Sequence, residues 1–103
     1  MDNCYYDEAT RSIVDLTDYY GLGLMMTRIN VPRQHRGQGH GSALLKRVCE
    51  EADKDQVTLF LEVLPSGPLD YDQLVAWYER HGFKYHRGIY RRRPQGWKPA
   101  SKT

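Results

Sequence analysis

The sequence predicts an α/β (α+β) fold, a mixed sheet built round a parallel βαβ core with flanking helices. Three stretches predict it. Leu22 to Val31 reads as a strand that delivers the chain to a glycine loop. Ala43 to about Asp53 repeats its apolar residues at helical spacing, and Val57 to Leu64 is a nearly unbroken apolar run of β-branched and aromatic type. A strand, a short helical crossover and a strand buried on both faces make a right-handed unit with a parallel pair.

A chain of 103 residues is one small domain, able to bury roughly 60% of its unfolded surface in a single core. A hydrophobic content of 40% with 12% aromatic residues, and 27% charged residues at net +2, exclude disorder throughout. Cys4 and Cys49 lie far apart with no Cys-x-x-Cys or Cys/His spacing. The expectation is therefore reduced thiols, no metal and an intracellular setting. Asp2, Asp7 and Glu8 are the opposite of a basic signal-peptide start, and no run approaches the roughly twenty apolar residues of a membrane span. These readings place the protein in the cytoplasm with no membrane partner.

Taken in order, residues 1–10 offer only Tyr5 and Tyr6 as apolar bulk, and Arg11 to Thr17 is a weak strand. Thr17-Asp18, with Gly21 and Gly23, reads as a turn that could make a hairpin with the strand from Leu22. In the helix, Leu44, Leu45, Val48, Cys49 and Ala52 form one stripe, with Lys46, Arg47, Glu50 and Glu51 opposite. Pro65-Ser66-Gly67-Pro68 ends the second central strand. Asp70 or Asp72 can cap a second helix, with Leu74, Val75 and Tyr78 on its stripe and Tyr71 and Trp77 at the edges. His81-Gly82 closes it, with Phe83 folding back on Tyr78 or Trp77. Tyr85 to Arg91 reads as one last strand, so residues 1–93 form the domain and 94–103 a basic tail.

The loop Arg33-Gln34-His35-Arg36-Gly37-Gln38-Gly39-His40-Gly41-Ser42 carries the chemistry. Glycines at every second position let backbone N–H groups converge, and the helix start behind them adds free donors and partial positive charge. Together these suit a phosphate or pyrophosphate. A Walker loop would need a lysine between Gly41 and Ser42, and a dinucleotide fingerprint would need a one-then-two glycine spacing; neither is present. A tight connection between strand and helix is the alternative without chemistry.

The stretch resembles the acyl-CoA signature of the GNAT superfamily of N-acyltransferases, in which Arg or Gln, two residues, Gly, one residue and Gly or Ala follow a strand. Arg36, Gly39 and Gly41 fill it. Ala76 to Phe83 resembles the family's later helix, which ends in Tyr, a few residues, Gly and Phe; Tyr78 fills the Tyr position. The resemblance covers about residues 22–92, with the two motifs in the family's order. It implies a compact GNAT-like fold with a reduced N-terminal part, and an acetyl-CoA-dependent N-acetyltransferase in which a primary amine attacks the thioester directly in a ternary complex. Ile29 and Val31 would pair with the pantetheine amides. Arg36 and the N–H groups of Gly37, Gln38, Gly39, His40, Gly41 and Ser42 would hold the pyrophosphate, and Tyr78 would protonate the departing thiolate. Without the resemblance, Tyr78 reads as a core aromatic at helical spacing.

Glu62 is the best carboxylate for a general base, because a charge in so apolar a strand is unusual; pairing with an Arg or Lys explains it equally well. His35 and His40 can touch phosphate when charged, while His81 and His86 read as surface or cap residues. About twenty acidic, Tyr-rich residues stand where the family has a longer segment lining the acceptor side. That side is therefore expected to be open, completed by a second subunit in a homodimer, or unused. The partner classes are an amine-bearing acceptor, protein or small molecule, and an acidic partner for the tail. Two further readings stand beside the enzyme. One is a non-catalytic CoA-binding or regulatory module, and the other a small nucleic-acid binder using Arg91, Arg92, Arg93 and Trp97.

Overall fold

The computed structural model describes residues 1–27, 29–65 and 69–96. Its strands are β1 (Cys4–Asp7), β2 (Ser12–Asp18), β3 (Leu24–Met26), β4 (Leu59–Leu61), β5 (Lys84–His86) and β6 (Ile89–Arg92). The helices are α1 (His40–Asp55) and α2 (Tyr71–Arg80), with a 3₁₀ turn at Arg33–His35. The strands form one sheet in the order β1-β2-β3-β4-β6-β5. All neighbours are antiparallel except β3 and β4, which α1 connects as the sequence predicts. The turn read at Ser66, Gly67 and Pro68, and Trp97, Lys98 and Lys102 of the tail, lie outside the described residues.

Both crossovers, β3-α1-β4 and β4-α2-β5, advance in one direction across the sheet, so right-handed connections place both helices on the same face. The core agrees. Leu44, Leu45, Val48, Cys49 and Ala52 of α1 are buried in one cluster with Tyr5, Val14, Leu16, Met26, Leu59, Leu61 and Val63. Tyr78 of α2, Phe83 and Tyr90 complete the cluster, the Tyr78 and Phe83 rings lying edge to face at 5.7 Å. Alternate strand residues, among them Ile13, Met25, Phe60 and Arg91, point to the other face.

Several bounds differ from the sequence reading. β1 was not anticipated; it forms because Tyr5 is buried opposite Val14 and its hydroxyl donates to Glu51 of α1 at 2.9 Å. The two central strands are shorter than Leu22–Val31 and Val57–Leu64, since their parallel pairing runs only from Leu24↔Leu59 to Met25↔Phe60. Beyond those pairs the backbones leave the ladder. The last strand is two strands, joined by a two-residue turn at Arg87 (φ 52°) and Gly88 (φ 89°), the backbone sign that suits a tight hairpin. α1 begins three residues earlier than read, at His40.

Charged contacts fix β6 to the helices. Arg92 reaches both carboxylate oxygens of Asp53, at 2.8 and 3.0 Å, and donates from Nε to the carbonyl of His81 at 2.7 Å. Gln95 adds its backbone N–H to Asp53 at 2.8 Å, and Pro94 is buried, so the packed body continues to this point. Arg92, the middle residue of the Arg91-Arg92-Arg93 run, thus serves the fold.

Candidate active site

The site begins where β3 and β4 part. Asn30 and Ile13 exchange two backbone hydrogen bonds, at 2.9 and 3.0 Å, which aims the polar groups of Asn30 at β2. By strand alternation the N–H and C=O groups of Ile29 and Val31 face the opposite side, into the notch left by the short parallel ladder. An extended amide-bearing ligand can pair there as an added strand.

The chain then turns at Pro32 and climbs into α1. Gly37 (φ 77°) and Gly39 (φ 82°) take left-handed angles, and Gly39 is the N-cap, with no side-chain cap on the helix. The first N–H bonded within the helix is that of Ala43, to Gly39 O at 3.0 Å. Those of His40, Gly41 and Ser42 precede the ladder and present donors and dipole to whatever lies in front. Gly41 is helical, and its need is space: a Cβ there would lie 3.3 Å from Val31 Cγ2 and 3.7 Å from the Trp77 indole.

A cavity of about 390 Å³ opens in front of this helix start. Ile29, Val31, Arg36 and the loop from Gly37 to Ser42, apart from Gln38 and the helix-internal side, line one end, while Leu64, Leu69, Leu74, Trp77 and Tyr78 line the other. Its basic groups are Arg36, His35 and His40, and no carboxylate is among the described residues of its wall. The field inside therefore favours an anion. Arg36 donates from Nε to Val31 O at 2.9 Å, which holds the side chain against the notch and leaves its two terminal nitrogens as further donors.

Of the residues read from the sequence, Ile29, Val31, Arg36, Gly37, Gly39, His40, Gly41, Ser42 and Tyr78 share this cavity. Gln38 is exposed, away from the wall, and bonds the His40 ring at 3.2 Å. Glu62 stands elsewhere. It is exposed just beyond β4 and lines a second concavity with Tyr19, Tyr20, Met25 and Arg87 on the face without helices. Trp77, read only as an edge residue, is the most informative addition, since its indole N–H donates to Ser42 Oγ at 2.8 Å. The signal was available: adjacent Trp77 and Tyr78 cannot both point into one core from a helix. His81 caps α2, where burial and then the charges of Arg80 and Arg92 lower its pKa. Among the described residues no group of His, Cys, Asp and Glu is arranged to hold a metal ion, and no helix is long and apolar enough to cross a membrane.

A short parallel pair with an uncapped helix start beside it defines an α/β protein with a cavity at the end of its central strands. The family model for the acetyltransferase (GNAT) domain matches residues 4–85. The chain belongs to the GNAT acetyltransferase family. In fold it is similar to the ribosomal-protein-S18-alanine N-acetyltransferase of Escherichia coli, at 22% identity and a TM-score of 0.68 over 89% of this chain and 66% of that one. It is equally similar in TM-score, 0.68 at 16% identity, to the anti-CRISPR protein AcrVA5, with 86% of this chain and 97% of that one covered. A GNAT-family acetyltransferase of Staphylococcus aureus MU50 matches at 15% identity and a TM-score of 0.56, over 85% and 63% of the two chains. No curated protein sequence matches the chain.

Proposed function

We propose that this chain is an acetyl-CoA-dependent N-acetyltransferase in which a primary amine attacks the thioester directly within a ternary complex. The observation that carries this reading is the single cavity that runs from the uncapped start of α1, across the notch at Ile29 and Val31, to Tyr78. Bound acetyl-CoA supplies an activated acyl group on a thiolate leaving group. The chain does the rest. Ile29 and Val31 hold the amide-bearing stem as an added strand. The N–H groups of the loop and of α1's first turn, with Arg36, hold the diphosphate. Leu64, Leu69 and Leu74 keep water from the stem, and the Tyr78 hydroxyl gives a proton to the departing sulfur. Positioning of the two reactants supplies most of the acceleration.

In this reading Glu62, which lines the concavity on the face without helices, accepts the proton released by the amine, and the acceptor approaches from that face. The Escherichia coli relative is named for acting on an alanine of a ribosomal protein, and protein amines are the first acceptors to screen. Tyr78→Phe tests the reading: acetyl-CoA binding stays, and turnover on any accepted amine falls by about 10²–10⁴-fold. Undiminished turnover in that variant would remove Tyr78 from the chemistry.

A second reading, a CoA-binding module without turnover, is favoured by one observation. Glu62 and Tyr78 line different concavities. Binding of acetyl-CoA with no transfer to peptide, lysine or small-amine acceptors would select it.

A further inference from the structure

We propose that the sheet face without helices binds single-stranded nucleic acid, through a cationic track on β5 and β6 beside an aromatic row at the β2–β3 turn. The inference uses none of the residues of the cofactor cavity, and on this face it shares only Glu62 with the acyltransferase reading, so acetyl-CoA binding and strand binding can fail separately.

The register places the track. Lys84 pairs with Arg91, and His86 with Ile89, so these four side chains share one face of the hairpin. Phe60 of β4 is opposite Arg91. Because Leu59, Leu61 and Tyr90 point to the helices, Phe60, Arg91 and Lys84 point away from them. Arg93 follows Arg91 on the same alternation, and Arg87 sits at the turn. The charges are close enough to act on one another. Partial desolvation and then the guanidiniums of Arg93 and Arg87 hold Arg91 below its ordinary pKa, and desolvation followed by Arg91, Arg87 and Arg93 lowers His86. A cluster of like charges on one face draws anions to it.

Aromatic rings lie next to it. Tyr19 stacks on Phe60 at 4.5 Å with 34° between the planes, and Tyr20 meets Tyr19 edge to face at 4.8 Å. Tyr20 is 85% exposed. Tyr19, Tyr20 and Arg87 line one concavity of about 640 Å³, together with Asp18 and Glu62. Cations that follow a phosphate backbone beside rings that accept bases is the arrangement by which open sheet faces hold single strands. The two carboxylates border the track on its β2 side. They offer acceptors to exocyclic amino groups of a stacked base, which a duplex would keep paired. An acidic polypeptide would answer the cations but has no use for the exposed rings.

The test is fluorescence anisotropy of the full chain with end-labelled twelve-nucleotide RNA and DNA strands, a duplex of the same sequence, and polyglutamate. Both single strands are expected to bind in 50 mM salt and to weaken about 20-fold at 200 mM if three cations contact phosphate. Arg87→Glu with Arg91→Glu should lose tenfold or more, as should Lys84→Glu in part, with acetyl-CoA affinity and circular dichroism unchanged. Tyr20→Ala should lose fivefold or more for the strands and nothing for polyglutamate, since a stacked base contributes at least about 1 kcal/mol. The proposal is overturned if the strands fail to bind at 50 mM salt or if charge reversal leaves them bound. It is equally overturned if the duplex or polyglutamate binds as tightly, the latter result assigning the face to an acidic protein.

Discussion

The indole Nε1 of Trp77 donates to Ser42 Oγ at 2.8 Å, tying the helix that carries Tyr78 to the first turn of the helix that opens into the cavity. The two sequence motifs, 35 residues apart at this bond, are thus joined by a side-chain contact as well as by the core. Ser42 sits where α1's donors are free of the ladder, so the bond also fixes a hydroxyl at the helix start that lines the cavity.

Removing either partner separates packing from polarity. Ser42→Ala leaves a part-buried indole N–H without its acceptor and should cost about 1–3 kcal/mol. Trp77→Phe removes the donor and leaves a hydroxyl that water can reach, costing about 0.5–1.5 kcal/mol for the hydrogen bond together with lost packing on Gly41. Thermal unfolding of both variants and the double variant is the check, with the double variant expected to fall short of the sum by about 1 kcal/mol. Strict additivity would mean that the bond does not couple the helices.

Asp53 gives the fold an acid limit. The Arg92 hydrogen bonds, reinforced by the N–H of Gln95, hold its pKa below the ordinary carboxylate value. A carboxylate lowered on folding contributes stability that is fully present above its unfolded pKa, about 3.9, and is lost as pH falls through the folded value. Urea denaturation from pH 6 downward should therefore show stability falling below about pH 4. Asp53→Asn should weaken that dependence and cost about 1.5–3 kcal/mol at neutral pH. An unchanged pH dependence in the variant would remove Asp53 from this role.

The two thiols should differ in reactivity. Cys49 is buried on α1, and burial pushes its pKa up to about 11, while Cys4 is exposed on β1. A disulfide reagent at pH 8 should titrate one thiol quickly and the second only on unfolding. Two fast thiols in the native protein would contradict the packing of α1.

The parallel core was legible because its signals are local and consistent. Leu44, Leu45, Val48 and Cys49 repeat at helical spacing, and Leu59-Phe60-Leu61 has no polar break. Asp70, one of two acids at the start of α2, is its cap, its side chain accepting from Gln73 N–H at 2.8 Å. What sequence could not supply was pairing. Cys4–Asp7 has no strong strand pattern and is held by its partner β2 and by α1. The strand ends at Met26 and Leu61 are set by the divergence of two chains distant in sequence, and an apolar run does not report where its neighbour turns away. The missed hairpin at Arg87-Gly88 is a different case. A residue-glycine pair within an alternating stretch is a turn signal, outweighed in the reading by the alternation from Tyr85 to Arg91.

The same limit applies to the site. The resemblance to the family's two motifs put the glycine loop and Tyr78 in one site, whereas spacing alone left Tyr78 a core aromatic. Glu62 points to the opposite face, one step of strand alternation past Leu61, and that step became readable only once Leu61 was seen to face the helices.

Calorimetric titration of the chain with acetyl-CoA tests the central claim most directly, with Gly39→Asp as the comparison. The account expects micromolar binding to the parent chain and its loss in the variant, because position 39 combines a left-handed φ of 82° with the uncapped start of α1. An aspartate there strains the backbone and sets a carboxylate where the diphosphate belongs. No binding to the parent chain, or equal binding by a folded Gly39→Asp variant, would contradict the claim that this cavity holds the thioester.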